Sequence, residues 1–144
     1  MKTDKSIHNI CIASIKRSTI KPYNFKWTKF YETNSDFSDK GFQIELDENE
    51  LFICSTLIDK DNFSILTTRK LLTQHDGQLY SENIQGAIDK LYGDFKGYKN
   101  DDFTFGLVQL QNGNELKYFI ETGKASMIMI NGVRTLIRAT QMNK

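Results

Sequence analysis

Phe103-Thr-Phe-Gly-Leu-Val-Gln-Leu110 begins the stretch that decides the fold of this chain. Gln111-Asn-Gly-Asn114 follows it, and Glu115-Leu-Lys-Tyr-Phe-Ile-Glu121 completes the stretch. The two outer runs are rich in the aromatic and aliphatic residues that strands favour, and Asn-Gly between them tolerates the positive φ angles of a tight turn. The stretch therefore predicts an antiparallel hairpin.

A helix is predicted directly after this hairpin, over about residues 123–138. At 100° per residue, five apolar side chains gather within roughly 100° of arc; they are Met129, Ile130, Val133, Leu136 and Ile137. Asn131-Gly132 could instead form a turn, but the apolar residues on both sides do not alternate as strands do. Thr122 is the expected N-cap. Gly132 is costly inside a helix, and close packing on a sheet would explain it.

Upstream of the hairpin, short runs separated by polar turns predict an antiparallel meander. Asp76-Gly77 supplies a tight turn, and residues 69–73 either continue the preceding strand or open a new one. Residues 84–97 fit either a helix or an irregular strand, and a strand from about 89 to 96 is favoured. The other predicted strands are 42–46, 51–58, 63–67 and 79–81.

The N-terminal part, residues 1–41, is predicted to be an extension packed on a domain formed by residues 42–144. Its first apolar residues fit a short helix, although some also fit a strand; they are Ile7, Ile10, Cys11, Ile12 and Ile15. Residues 23–31 fit either a short strand at 23–27 or one helical turn at 27–31.

Composition indicates an ordinary globular domain, with 39% hydrophobic residues and a formal net charge of +1 in 144 residues. No global field favours nucleic acid or a membrane surface. No run approaches the ~18 apolar residues of a transmembrane helix, and the N-terminal residues are too polar for a secretory signal, so a cytoplasmic location is expected. The two cysteines, Cys11 and Cys54, stand among apolar neighbours and are predicted to be buried free thiols.

Phe63-Ser-Ile-Leu-Thr-Thr-Arg-Lys-Leu-Leu72, followed by Glu82-Asn-Ile84, resembles a strand pair of bacterial pleckstrin-homology-like (PH-like) and GRAM-like domains. The resemblance covers about residues 42–138. It implies a mainly β fold, a bent antiparallel sheet sandwich or barrel closed by the C-terminal helix. It also implies a scaffold that binds peptides, lipids or other proteins and rarely catalyses a reaction, and no cofactor is predicted. The early turns here are acidic (residues 47–50 and 59–62), which argues against the anionic-lipid site of such domains.

Two groups of residues are candidate ligand-binding sites. Lysines interleave with aromatic residues in a segment without acidic residues, an arrangement that can stack on bases or hold a membrane interface; the candidates are Lys21, Lys26, Trp27 and Lys29. The alternative is that these aromatic residues complete the core. Gly123 and Lys124 stand at the predicted helix start, where free N–H groups can hold an anion weakly, although an ordinary helix start is the simpler explanation.

No metal site or catalytic group is predicted. His8 and His75 lie far apart without other ligands nearby, and His75 is expected to be solvated in its turn. We therefore predict a non-enzymatic module that binds an unknown protein through a sheet edge or the groove beside the C-terminal helix. One alternative is a binder of an anionic small ligand or nucleic acid through the basic N-terminal segment. Another is an immunity or inhibitor protein directed against a toxin.

Overall fold

The computed structural model of the protein describes residues 2–37, 41–42 and 44–141. It contains two α-helices, eight strands and two short 3-10 turns, Asn34–Asp36 and Gly123–Ala125, within those ranges. In chain order the elements are α1 (Asp4–Ser18), β1 (Thr28–Phe30), β2 (Phe52–Asp59), β3 (Asn62–Thr67), β4 (Leu71–His75), β5 (Gln78–Glu82), β6 (Ile88–Tyr92), β7 (Phe103–Gln109), β8 (Glu115–Glu121) and α2 (Ser126–Gln141).

The strands form two antiparallel sheets, one with the order β1-β2-β3-β4-β5 and one with the order β6-β7-β8. The predicted mainly β fold with a C-terminal helix is confirmed. Among the described residues the two sheets share no strand pairing, so they do not close into a barrel. β8 crosses the larger sheet. The main-chain N–H of Phe119 donates to Ser64 Oγ on β3 at 2.8 Å, and the Glu121 carboxylate accepts from Thr28 on β1.

Both predicted tight hairpins are confirmed. Asp76 and Gly77 have φ angles of 51° and 82° between β4 and β5, so these two residues alone make the turn. Gly113 has a φ of 92° in the loop between β7 and β8, where the N–H of Leu110 donates to the carbonyl of Asn114 at 2.6 Å. Asn and Asp accept such angles at low cost and Gly accepts them freely, so local turn chemistry places both reversals.

The C-terminal helix carries the predicted apolar face. Met129, Ile130, Val133 and Ile137 are each at most 5% exposed, as predicted. The helix begins later than expected, at Ser126 after the 3-10 turn. Thr122 does not cap it, because its hydroxyl donates instead to the carbonyl of Asp101 at 2.6 Å.

Over strands β2, β3 and β4, both faces of the larger sheet are covered. One face, with side chains such as Cys54, Leu66 and Leu71, joins the core formed with α1, α2 and β8. The opposite face, with Phe63 and Ile65 among its side chains, is covered by Phe37, Phe42, Ile44 and Leu46.

The strand predicted at residues 42–46 is wrong for the residues of that range that the structure describes, since none of them belongs to a strand. The alternation of Phe42, Ile44 and Leu46 nevertheless identifies correctly the side chains that pack together. Their side chains pack on the outer face of the sheet, and the Phe42 and Phe63 ring centroids are 5.0 Å apart, edge to face. β2 is already paired with β1 on one side and β3 on the other, so this segment has no strand edge to join there.

In the N-terminal part, the helical alternative is correct. Thr3 caps α1 by accepting from the N–H of Ser6 at 3.1 Å. Residues Ile7, Cys11 and Ile15 face the core. The helix packs against α2, and the Thr135 hydroxyl donates to Ser14 Oγ at 2.9 Å.

Other boundaries differ from the predictions. The strand at 23–27 and the helical turn at 27–31 are both wrong, because β1 occupies Thr28–Phe30 and pairs with β2. β6 ends at Tyr92 rather than at about residue 96, and the helical alternative for 84–97 is excluded. Both cysteines are free and buried, as predicted. The division into an extension and a domain at residue 41 stays a prediction.

Candidate functional site

The two predicted anion sites lie next to each other in the structure, joined by Glu121 at the end of β8. Glu121 Oε1 accepts hydrogen bonds from the N–H of Trp27 and from Thr28 Oγ1, both at 2.8 Å. Its Oε2 accepts from the N–H of Lys26 at 3.1 Å. The carboxylate thereby ties the basic N-terminal segment to the residue just before Thr122 and Gly123.

Glu121 also changes what these sites can bind. Its negative charge lies where an anion would approach the main chain of Lys26 and Trp27. The N–H of Gly123, expected to be free for a ligand, donates to the carbonyl of Phe95 at 2.8 Å. Lys124 is exposed on the 3-10 turn. The predicted helix-start site therefore has lost one of its donors and gained a neighbouring carboxylate.

The predicted basic residues do not all meet. Lys29 is exposed on β1, and alternation along the strand directs its side chain away from that of Thr28 and hence from Glu121. Lys21 is exposed beside Pro22, with which it forms a cis peptide bond. Of the four candidates, only Lys26 and Trp27 are brought to the Glu121 carboxylate by their main-chain contacts.

Trp27 belongs to a row of rings that we call the aromatic strip, formed by Trp27, Phe103, Phe105 and His75. Successive ring centroids are 6.3, 5.9 and 5.3 Å apart, all edge to face. Lys26 Nζ lies 4.6 Å from the Trp27 ring, and Lys117 Nζ lies 5.4 Å from the Phe105 ring. His75, expected to be solvated in a turn, is the last residue of β4; its side chain keeps 38% of its surface exposed while one edge of the ring packs on Phe105. The spacing of Phe103 and Phe105 on one strand could have revealed their common face.

A second candidate site is the free edge of the larger sheet, at β5. All five residues of this strand are exposed, and Leu79 and Tyr80 keep 54% and 48% of their surface in contact with solvent. His75 and Gln78 close the two-residue hairpin as a hydrogen-bonded pair, so main-chain bonding to β4 continues at every second residue. The N–H and C=O groups of Leu79 and Ser81 therefore point away from β4.

No local signal in the sequence marks this edge. Leu79 and Tyr80 are adjacent apolar residues in a short strand, and adjacent strand residues point to opposite faces. The pairs Ile65-Leu66 and Leu71-Leu72 show the same pattern, yet each of these residues is at most 5% exposed. The exposure of Leu79 and Tyr80 follows from the position of β5 at the end of the sheet order.

The other described strand edges are very short, bulged, marked by a central lysine or packed on the larger sheet, and β5 is none of these. β1 is only three residues long and has Lys29 at its centre. β6 is interrupted by a bulge between Asp89 and Leu91, where Lys90 lies and pairs with Glu115. β8 lies against the larger sheet. Short edges, lysines and bulges are the usual protection against strand addition, so β5 is the least protected of these edges.

The groove beside the C-terminal helix is filled on one side. α1 lies along α2 there, and the hydrogen bond between Thr135 and Ser14 joins their polar margins. Of the two protein-binding surfaces predicted from the sequence, the sheet edge is therefore the more accessible.

The acidic, histidine and cysteine side chains of the described residues form neither a metal cluster nor a reactive thiol. No group of three or more His, Cys, Asp or Glu side chains there is arranged to hold a metal ion. Burial raises the pKa of Cys11 to about 12 and that of Cys54 well above the usual thiol value, so neither supplies a thiolate nucleophile at neutral pH. No helix in the described ranges has the length and apolar character needed to span a bilayer.

Comparisons of the chain with protein-family models, with curated proteins and with solved structures find no match. The resemblance to PH-like domains accordingly stays a prediction.

Proposed function

We propose that the protein is a non-enzymatic module that binds another protein by accepting one of its extended segments as a sixth strand beside β5. The observation that carries this proposal is an edge strand whose five residues are all exposed and which lacks the protection found on the other described edges. Strand addition draws its affinity from main-chain hydrogen bonds and its specificity from alternate side chains.

The chemistry of the edge fits this mode of binding. Leu79 and Ser81 each offer one N–H donor and one C=O acceptor, so a partner strand gains up to four main-chain hydrogen bonds. Leu79 and Tyr80 lie on opposite faces of the extended sheet, and each leaves about half of its surface to be covered. An interface of this size is small, so we expect a weak or transient complex unless the partner adds contacts elsewhere.

The test removes one hydrogen-bond donor without removing the strand. Ser81→Pro deletes the outward N–H, and proline is tolerated on an edge strand in that orientation. Ser81→Ala is the matched control, since it keeps the N–H, and the Ser81 hydroxyl forms no hydrogen bond within the described residues. Both immobilised variants and the wild-type protein are exposed to a native extract of the source cells. Thermal unfolding confirms that all three are folded.

We expect a stoichiometric protein to be retained by the wild type and by Ser81→Ala but not by Ser81→Pro. Hydrogen exchange on the captured complex should show new protection at the amides of Leu79 and Ser81. Retention by Ser81→Pro at the wild-type level, or no stoichiometric capture by the wild type, would count against strand addition at β5.

A second candidate function is binding of single-stranded nucleic acid at the aromatic strip. It is supported by the contiguous rings and by the lysines at Trp27 and Phe105, since aromatic side chains flanked by cations stack on bases. The carboxylate of Glu121 opposes it. Trp27 is the only tryptophan in the chain, so its fluorescence reports directly on stacking. Quenching by an oligonucleotide that weakens steeply with salt favours this function, and unchanged emission contradicts it.

An immunity or inhibitor role is a special case of the protein-binding proposal. In that case the partner is a toxin, and β5 is the surface that occupies it. A toxin gene beside the gene for this chain would favour this reading, and coexpression with that toxin would test protection directly.

A further inference from the structure

The strand edge at β5 is bracketed by carboxylates, and this arrangement specifies the partner more closely. Resting on the proposed strand addition, we infer that the segment which pairs with β5 is cationic, with Lys or Arg at both ends of an apolar, extended stretch.

The first group of carboxylates lies at the beginning of β5. Asp76 is in the turn between β4 and β5, Asp59 is the last residue of β2, and Asp61 is in the turn between β2 and β3. The two turns are in contact, because the N–H of Gly77 donates to the carbonyl of Asp61 at 3.1 Å. Another contact joins the N–H of Asp76 to Asn62 Oδ1 at 3.1 Å. Three exposed carboxylates are thus gathered at one end of the strand.

A further carboxylate lies at the other end of the strand, where Glu82 is the last residue of β5 and is exposed. A strand advances about 3.3 Å per residue, so Glu82 lies roughly 15–20 Å from Asp76 along the edge. Leu79 and Tyr80 occupy the middle. A segment of about seven residues matches this span, with cations at its two ends and apolar side chains between them.

These carboxylates have little internal neutralisation. In the part of the chain that the structure describes, Asp59, Asp61 and Glu82 form no ion pair with Lys or Arg. Asp76 approaches only the His75 ring, with Nε2 and Oδ2 3.7 Å apart.

The lysine of the β2–β3 turn, Lys60, does not compensate. Its side chain lies against Gly41, with Nζ 3.5 Å from the position that a Cβ on Gly41 would take. Exposed carboxylates therefore stand at both ends of the β5 edge, where they would repel an acidic segment and attract a basic one in either strand direction.

The ion pairs between these carboxylates and a basic segment would be exposed to solvent, so each contributes modestly to affinity. Two or three such pairs together give a preference of about tenfold for a basic over an acidic segment. Such a preference is screened by salt. The main-chain hydrogen bonds do not depend on the charges of the partner's ends, so the two contributions can be separated.

The experiment uses three synthetic seven-residue peptides in titrations of the isotope-labelled protein, followed through the amide resonances of Leu79 and Ser81. The first peptide alternates valine and threonine with lysine at both ends. The second has glutamate at both ends, and the third is the lysine peptide with a central proline. The protein variants are Ser81→Pro and the charge-neutral triple variant Asp61→Asn, Asp76→Asn and Glu82→Gln. Asn suits the φ of 51° at position 76, so the turn is kept.

We expect the lysine peptide to bind the wild type about tenfold more tightly than the glutamate peptide at low salt, and the proline peptide not to bind. High salt or the triple variant should reduce the preference to about twofold or less. Equal binding of the lysine and glutamate peptides to the wild type would overturn the charge inference and leave strand addition standing. Strand addition itself fails if no peptide shifts the Leu79 and Ser81 resonances, or if Ser81→Pro binds the lysine peptide as tightly as the wild type does.

Discussion

Gly132 lies in the middle of α2 at its closest approach to the larger sheet, and replacing it with alanine tests the packing of the whole core. A Cβ at this position would lie 2.7 Å from Cys54 Sγ and 3.1 Å from Leu66 Cδ2. It would also lie 3.6 Å from Ile15 Cδ1 on α1. Cys54, Leu66 and Ile15 are all 0% exposed, so none can move into solvent to make room.

Two opposing effects set the size of the change. Alanine is favoured over glycine in a helix interior by about 1 kcal/mol. An extra carbon in a filled core costs about 1–3 kcal/mol, and the 2.7 Å approach to Cys54 Sγ places this site in the upper part of that range. We therefore expect Gly132→Ala to lower the free energy of unfolding by about 1–2 kcal/mol.

Cys54→Ala supplies the matched background, because it removes the sulfur atom that the new methyl group would meet. Alone, Cys54→Ala should lower the free energy of unfolding by about 1 kcal/mol, because it leaves a cavity. In this background the helix propensity of alanine is no longer outweighed, so adding Gly132→Ala should leave stability unchanged or raise it by up to about 1 kcal/mol. The two substitutions are thus expected to be strongly coupled.

Urea unfolding measures all four proteins through the fluorescence of Trp27, whose ring contacts Phe103 in the native state. An unchanged m-value is needed for the comparison, since it indicates the same surface exposed on unfolding. If Gly132→Ala alone stabilises the protein, or if its effect is the same with and without the Cys54 sulfur, close packing is not the reason for this glycine.

Three further predictions concern ionised and thiol groups. Glu50→Ala should lower the free energy of unfolding by about 3 kcal/mol, because the buried carboxylate accepts hydrogen bonds from a main-chain N–H and from a threonine hydroxyl and faces a lysine. The control is Glu48→Ala at an exposed position, which should change the free energy of unfolding by no more than about 0.5 kcal/mol in the same urea assay. The hydrogen bond from Arg69 holds the pKa of Asp4 below its usual 3.8, so the carboxylate stabilises the fold above about pH 4 and this contribution is lost as pH falls through the lowered pKa. The difference in Tm between wild type and Asp4→Asn should therefore shrink between pH 7 and about pH 2, and a constant difference would contradict the ion pair. Because burial raises the pKa of Cys11 to about 12, a thiol reagent at pH 8 should label neither cysteine in the native protein and both in urea; rapid native labelling would show that the core opens.

Local chemistry explains what the sequence could predict about the fold. The turns at Asp76-Gly77 and at Asn112-Gly113 depend on backbone angles that few other residues adopt, and both were placed correctly. The buried face of α2 follows from helical periodicity alone. These features need no knowledge of distant residues, because each depends on a window of a few positions.

Features that depend on distant partners were placed less well. Residues 42–46 alternate as a strand does, but alternation reports which side chains face the core and says nothing about whether a strand edge is available. The main-chain N–H groups of Lys26 and Trp27 bind the carboxylate of Glu121, which is more than ninety positions away in the chain. No pattern near either segment indicates that a carboxylate would meet them, so the character of this candidate site emerges only from the crossing of β8 over the larger sheet.

The free edge at β5 has a cause in the short segment that follows it. In a simple meander, β6 would pair with β5 and cover its outward N–H and C=O groups. Residues 83–87 prevent this, because Ile84 and Ala87 are each 1% exposed and anchor the chain in the core, and the N–H of Ala87 donates to the carbonyl of Ile84 at 3.1 Å. Gly86, with a φ of 76°, allows the sharp reversal between them. The chain then starts the second sheet at β6 instead of extending the first. The same segment that divides the strands between two sheets therefore also leaves β5 open, so the proposed binding edge follows directly from the way in which the fold is built.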